Sequence, residues 1–241
     1  MKIDRVTLTG ADDSIDPKAL FRIAEKFPFV EWGILLSNTA NKGDIWKPRF
    51  PTEEWLRELE STMLLDEQRL RLSGHICGRW VRQVCKGNWE EIFEELGDIG
   101  KLFQRFQLNF HCYLDKIDEV PFLKMLNSFE DTQFIFQLKD VNAEILDIAR
   151  SNGIDAVPFF DLSGGAGVLP EEWPEARDFY CGYAGGLSPD NLTEQLALIE
   201  KSVGDRTIWI DAETHVRSED NKVFDLEKVE AFLEIAKRYV E

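Results

Sequence analysis

Two short stretches of this chain carry the residue types that chemistry needs. Phe159-Phe160-Asp161-Leu162-Ser163-Gly164-Gly165-Ala166-Gly167 is an apolar run that stops at a carboxylate and gives way to small residues. Tyr183-Ala184-Gly185-Gly186-Leu187-Ser188-Pro189-Asp190-Asn191 ends instead in a Gly pair before a helix start. There Ser188 reads as the cap and Pro189 as the first helical residue. A strand running through glycines into a helix N-terminus presents bare backbone N–H groups, which suit an anion. Partial burial raises a carboxyl pKa, so Asp161 suits general acid work. Each stretch alone also describes an ordinary strand-to-helix turn. Asp161 could equally cap its own loop through the N–H of Ser163 or Gly164.

The elements around these stretches alternate. Apolar patterning predicts strands over 5–9, 31–36, 71–76, 106–110, 133–138, 156–160, 178–183 and 207–210. Helices are expected from Pro17 to Phe27, from Pro51, from Arg79 with a break near Gly87, over 119–129 and over 142–151. Asn88 is expected to cap the piece from Trp89 to Leu96. A short helix is expected at 170–173, and longer ones over 188–203 and 225–240. Strict strand-helix alternation implies parallel strands with right-handed crossovers. Eight units in 241 residues fit an α/β fold, a closed (β/α)8 TIM barrel forming a single domain over 1–241. An open doubly wound sheet is the alternative.

Enzymes on such barrels keep their sites at the C-terminal strand ends. The residues there are Thr9, Ser37, His75, His111, Lys139, Asp161, Gly185-Gly186, Asp211, Glu213 and His215. All three histidines of the chain fall in this set. Histidine transfers protons near pH 7, which makes His75 and His111 candidate bases. Any of the three could instead satisfy buried backbone groups. Lys139 could bind an anion or, desolvated, form a Schiff base. The polar loop over 37–50, with Lys42, Lys47 and Arg49, is long enough to serve as a lid.

The acidic balance narrows the partners. A net charge of −17 and a pI near 4.7 argue against nucleic acid or an anionic membrane. A small anionic ligand needs only a local positive patch. The four cysteines, Cys77, Cys85, Cys112 and Cys181, include no Cys-x-x-Cys pair and make no disulfide scaffold. The charged start Met1-Lys2-Ile3-Asp4-Arg5 lacks a signal core, and no long apolar run exists. These features describe a reduced, soluble, cytoplasmic protein that calls for no cofactor. Its oligomeric state is open.

At these residues the chain resembles phosphoribosylanthranilate isomerase, most closely from about Ala156 to Glu241. Phe160-Asp161 with Gly164-Gly165-Ala166-Gly167 is similar to that family's catalytic-aspartate strand and glycine loop. Ala184-Gly185-Gly186-Leu187-Ser188-Pro189-Asp190-Asn191 resembles its phosphate-binding segment. The resemblance implies Asp161 as the general acid and Gly165, Gly185, Gly186 and Ser188 as phosphate ligands. It places Thr9-Gly10 where the family has Cys-Gly, so the catalytic cysteine is replaced by Thr9. A threonine hydroxyl cannot act as the thiolate base near neutral pH, which leaves His111 or His75 for that role. The second phosphate loop is replaced by Glu213-Thr214-His215-Val216, with His215 and Arg217 as candidate compensating groups. The resulting expectation is an isomerase or lyase acting on a small phosphorylated or carboxylated sugar-derived metabolite. The alternatives are a metal-dependent barrel enzyme using the strand-end His, Asp and Glu residues, or a non-catalytic ligand-binding descendant.

Overall fold

The computed structural model describes residues 1–37, 49–65, 69–109, 117–138, 143–161, 163, 166–176 and 180–240. Eight parallel strands close into a barrel in chain order. They are β1 Lys2–Thr9, β2 Val30–Leu36, β3 Leu72–Ile76, β4 Arg105–Leu108, β5 Gln133–Gln137, β6 Ala156–Asp161, β7 Cys181–Ala184 and β8 Thr207–Ala212. Closure is made where Lys2 to Leu8 run beside Thr207 to Ala212. The fold is therefore the (β/α)8 barrel, and the open sheet is excluded.

The helices around it are α1 Lys18–Lys26, α2 Glu53–Leu65, α3 Arg79–Val84, α4 Glu90–Leu96, α5 Glu119–Leu126, α6 Ala143–Ser151, α7 Leu192–Val203 and α8 Leu226–Ala236. Each turns an apolar stripe to the strands. In α1 the buried residues include Ala19, Leu20, Ile23 and Ala24, the three-and-four spacing of one helix face. Asp225 caps α8, its carboxylate accepting from the N–H groups of Glu227 and Lys228. The break between α3 and α4 contains Gly87. Gly87 sits at φ +72°, and a side chain there would run into the backbone of Pro121.

Three local expectations are corrected. Asn88 does not cap α4; its amide donates to Gln83 Oε1 at 3.4 Å instead. α7 starts at Leu192 rather than Ser188. Residues 188–191 form a turn in which Ser188 N–H donates to Asn191 Oδ1 at 2.9 Å, and Asn191 N–H donates to Ser188 Oγ at 3.3 Å. Residues 170–173 form no helix, so among the described residues the β6–β7 crossover has none. Trp173 fills that place. Its indole meets Tyr183 edge-on at 6.0 Å and donates to Gln195 Oε1 at 3.0 Å. Ser202 Oγ donates to the Trp173 carbonyl at 3.0 Å, and Tyr183 OH to the Pro174 carbonyl at 2.8 Å.

Strand alternation sends Val6 and Leu8 out to the helices and Thr7 and Thr9 into the barrel. The barrel interior has two unlike halves. On one side Ile135, Val157, Phe159, Ala184 and Trp209 form an apolar cluster. On the other, fully buried Glu31 accepts from Arg105 at 2.9 Å, Arg5 at 3.1 Å and Thr7 at 2.9 Å. Burial opposes the Glu31 charge, but Arg105 and Arg5 outweigh it and hold the carboxyl below its ordinary range. Arg105 joins the halves, its guanidinium lying 4.2 Å over the Trp209 ring. Gly182 makes room for that ring, since a Cβ there would run into the indole. Cys77, Cys85 and Cys181 are free thiols. Among the described residues no helix is long and apolar enough to cross a membrane.

Candidate active site

The C-terminal ends of β3, β4, β6, β7 and β8 surround a cleft with a cavity volume of about 40 Å³, open to solvent on one side. Its floor is Phe159, stacked on Trp209 at 6.1 Å with the rings 7° from parallel. The walls hold His75, Gln107, Asp161, Asp211 and Glu213. These side chains converge because each sits at or near the end of a barrel strand and points inward.

Asp161 ends β6 and is held as an acceptor. Ser163 donates to Oδ1 through its N–H at 3.1 Å and its hydroxyl at 2.7 Å. Gln137, on the neighbouring strand, donates to Oδ2 at 3.0 Å. The loop-capping arrangement and the cleft-facing position therefore coexist in one residue.

Asp211 lies across the cleft on β8, 5% exposed. Thr9 Oγ donates to it, 2.9 Å from one carboxylate oxygen and 3.1 Å from the other. Thr9 reaches it because Gly33 beside it has no side chain; a Cβ there would strike the threonine hydroxyl. Burial holds the Asp211 carboxyl well above the usual carboxylate range, against the Thr9 hydrogen bond. The carboxylates of Glu213, Asp161 and Glu31 push it in the same direction as burial.

His75 Nε2 lies 3.9 Å from Asp211 Oδ2, beyond hydrogen-bond range. The ring is 2% exposed, and Nε2 has no hydrogen-bond partner. Burial pushes the imidazole down to about 3, with Arg105 adding to the effect and Glu31 opposing it. His75 is thus a neutral ring at physiological pH. Gln107 Oε1 is also buried without a partner, while its amide N–H donates to Asn109.

The rim is tied by contacts between distant loops. Arg49 pairs with Glu213 at 2.6 Å. Burial raises the Glu213 carboxyl, although Arg49 opposes that shift. His215 Nε2 is 2.9 Å from the Gly167 carbonyl oxygen. The backbone of Val168 and Leu169 lies over the glycine turn, so that a Cβ on Gly186 would approach Leu169 N to 2.5 Å.

The expected site residues separate into groups. Asp161, His75, His215, Gly185 and Gly186 line the cleft. Ser188 does not, and both its N–H and its hydroxyl are engaged with Asn191. Arg217 does not either. It is buried, donating to the Gly10 carbonyl at 2.5 Å and to Asp12 at 2.7 Å, and so joins the loops after β1 and β8. His111, Lys139, Gly165 and most of the 37–50 loop lie outside the described residues. Among the described residues, no group of three or more His, Cys, Asp and Glu side chains is arranged to hold a metal ion.

No protein-family model matches the chain, and no curated protein sequence does. The structure aligns over 97% of its length with 98% of phosphoribosylanthranilate isomerase from Thermotoga maritima, at a TM-score of 0.54 and 14% identity. In fold the chain is a (β/α)8 barrel similar to that of this isomerase. It also aligns over 97% of both chains with KGPDC from Streptococcus mutans, whose structure is a complex with D-R5P, at a TM-score of 0.51 and 13% identity. At such identities the likeness shows the barrel and leaves the activity to the site itself.

Gln107 lines the cleft and Gln137 holds Asp161, and neither is among the strand-end residues that the sequence singles out. A signal existed for the glutamines. Each is a lone polar residue between apolar neighbours, Phe106-Gln107-Leu108 and Phe136-Gln137-Leu138, late in a strand. On a barrel strand that position faces the mouth.

Proposed function

We propose that this chain is an acid–base enzyme of the isomerase or lyase type, acting on a small sugar-derived metabolite in the β6–β8 cleft. One observation carries the reading. Two aspartates face the same cavity in different environments: Asp161 accepts hydrogen bonds from Ser163 and Gln137, and burial raises the Asp211 carboxyl well above the usual carboxylate range. A carboxyl raised by burial, beside one held by hydrogen bonds as an acceptor, suits a division of acid and base roles between them. Asp211 donates its proton to the carbonyl or ring oxygen of the substrate. Asp161 removes a proton from the adjacent carbon, and the reverse transfers complete the isomerisation. Thr9 then stabilises the Asp211 carboxylate through the hydrogen bond already in place. This assigns the acid role to Asp211 and the base role to Asp161, where the family resemblance implied Asp161 as acid.

The support for a phosphorylated or carboxylated substrate is weaker. The Ser188 N–H is engaged by Asn191, and Asp161 and Glu213 stand by the cleft where an anion would enter. The decisive experiment is hydrogen exchange in D₂O followed by proton NMR. The panel comprises aldoses, ketoses, their amino derivatives and their phosphates, with phosphoribosylanthranilate included. Enzyme-dependent deuterium incorporation beside the carbonyl, abolished by Asp161→Asn, is expected. Absence of exchange and turnover across the panel defeats the proposal and favours a non-catalytic binding module.

A further inference from the structure

We propose that His75 and Gln107 together recognise one hydroxyl of the substrate, the one beside the carbonyl that Asp211 addresses. The natural substrate is then a hydroxycarbonyl compound, and the pair rejects its deoxy analogue. The inference rests on the acid–base reading of the same cleft and narrows its substrate class. His75 on β3 and Gln107 on β4 are register partners across the two strands, and both line the cleft. Among the described residues they are the two cleft-lining side chains with a buried polar atom left without a partner, His75 Nε2 and Gln107 Oε1. Such atoms mark a place where a ligand or water completes the bonding. Neighbouring strands lie about 4.8 Å apart. One oxygen bonding at about 2.8 Å on either side spans a gap of that size.

The chemistry of the two atoms selects a hydroxyl. The Gln107 amide is held in one orientation, because its N–H donates to Asn109 Oδ1 at 2.9 Å and the Asn109 amide donates in turn to Cys77 Sγ at 3.1 Å. That leaves Oε1, an acceptor only, for the ligand to pair. A hydroxyl donates to Gln107 Oε1 and accepts from the Nε2–H tautomer of His75. A carbonyl or ether oxygen only accepts, so it leaves Gln107 Oε1 unpaired, and a methylene leaves both atoms unpaired. A buried polar group left unpaired costs more than an ordinary hydrogen bond gains. The place along the substrate follows from Asp211, whose Oδ2 lies 3.9 Å from His75 Nε2. A hydroxyl held by His75 therefore lies next to the oxygen that Asp211 addresses, as the hydroxyl on the adjacent carbon does.

The test compares D-ribose, D-glucose, D-galactose and their 5- or 6-phosphates, each beside its 2-deoxy counterpart. Dissociation constants are read by ligand-observed NMR titration, which needs no turnover. At least one parent compound is expected to bind about tenfold or more tighter than its 2-deoxy counterpart. Gln107→Met should weaken the parent by about the same factor and leave the 2-deoxy compound unchanged, so that the preference disappears. Asn109→Ala, a milder change made beside it in case Gln107→Met misfolds, frees the amide and should shrink the preference. Deoxy compounds that bind as tightly as every parent overturn the inference, and so does absence of binding by the whole panel. A preference that survives both variants also overturns it, the result expected if the pair merely holds a water. Hydrogen exchange as fast on a 2-deoxy sugar as on its parent would overturn it while sparing the acid–base reading. A preference lost in Gln107→Met, without enzyme-dependent exchange on any sugar, would sustain the recognition pair and defeat the acid–base reading.

Discussion

Thr9 and Asp211 are joined across the seam that closes the barrel. The hydroxyl on the first strand donates to the carboxyl on the last, at 2.9 Å. The bond converts barrel closure into site geometry, because the same strand pairing that completes the sheet sets the position of the proposed acid. Gly33→Ala is the sharpest probe of this link, since the added Cβ would push Thr9 away. The expected outcome is a stability loss of about 1–3 kcal/mol, typical of overpacking. Any exchange activity should fall further than Thr9→Val alone makes it fall. Chemical denaturation and the D₂O assay measure the two parts.

Asp211 also leaves a signature in stability. Its carboxyl is raised in the folded state by burial and by neighbouring carboxylates. From the ordinary aspartate range upward, the unfolded chain gives up a proton that the folded chain keeps. Stability attributable to this group is therefore full at low pH and falls as pH rises towards the folded-state pKa. Asp211→Asn should flatten that descent and raise the melting temperature at pH 7. Activity should drop by about 10²–10⁴-fold, the range for loss of a general acid. Melting curves from pH 4 to pH 8, with the variant alongside, check the sign.

His75 acts with the opposite sign. Its folded-state pKa is pushed down to about 3, chiefly by burial. Between there and the ordinary histidine value near 6.5, the unfolded state binds a proton that the folded state refuses. Stability from this group is present above that value and is lost as pH falls towards 3. Imidazole NMR should show no titration of His75 between pH 5 and pH 8. His75→Gln should flatten the acid side of the stability curve.

Glu31 and Arg105 form a buried pair beneath the cleft, 2.9 Å apart. Removing one charge strands the other in the interior. Glu31→Gln should cost about 3–5 kcal/mol, the usual penalty for half of a buried ion pair. The double variant Glu31→Gln, Arg105→Met should recover a substantial part of it. Denaturant titrations of the single and double variants decide whether the pair acts as a unit.

Most of the architecture is legible in the sequence because it follows from period. Alternating strand runs and amphipathic helices are local signals, and their strict order leaves few closed topologies. The sixth unit misleads for an equally local reason. Pro170-Glu171-Glu172 has the composition of a helix start, but Trp173 precedes Pro174, which disfavours helical backbone at Trp173. Tertiary packing against Tyr183 and Gln195 then settles the segment. Asp161 and His75 are visible as polar residues at strand ends. Asp211 is visible in the same way, but its special environment depends on Thr9, Asp161 and Glu31, which sequence places far away. The fate of Ser188 is likewise hidden, because a cap and a turn use the same residues and differ only in which N–H the side chain reaches.

Trp173→Ala should cost about 3–5 kcal/mol as a large core deletion. Hydrogen exchange should quicken in β7 and in the backbone of 166–176.

The irregular crossover has one more consequence. The stretch that plugs the outer wall with Trp173 is continuous with the stretch that leans over the Gly185–Gly186 turn through Val168 and Leu169. In an ordinary unit a helix would stand between wall and mouth and let each vary alone. Here a few residues of chain serve both. Any remodelling of the entrance for a new ligand must keep the indole seated, and any repacking of the wall reshapes the entrance.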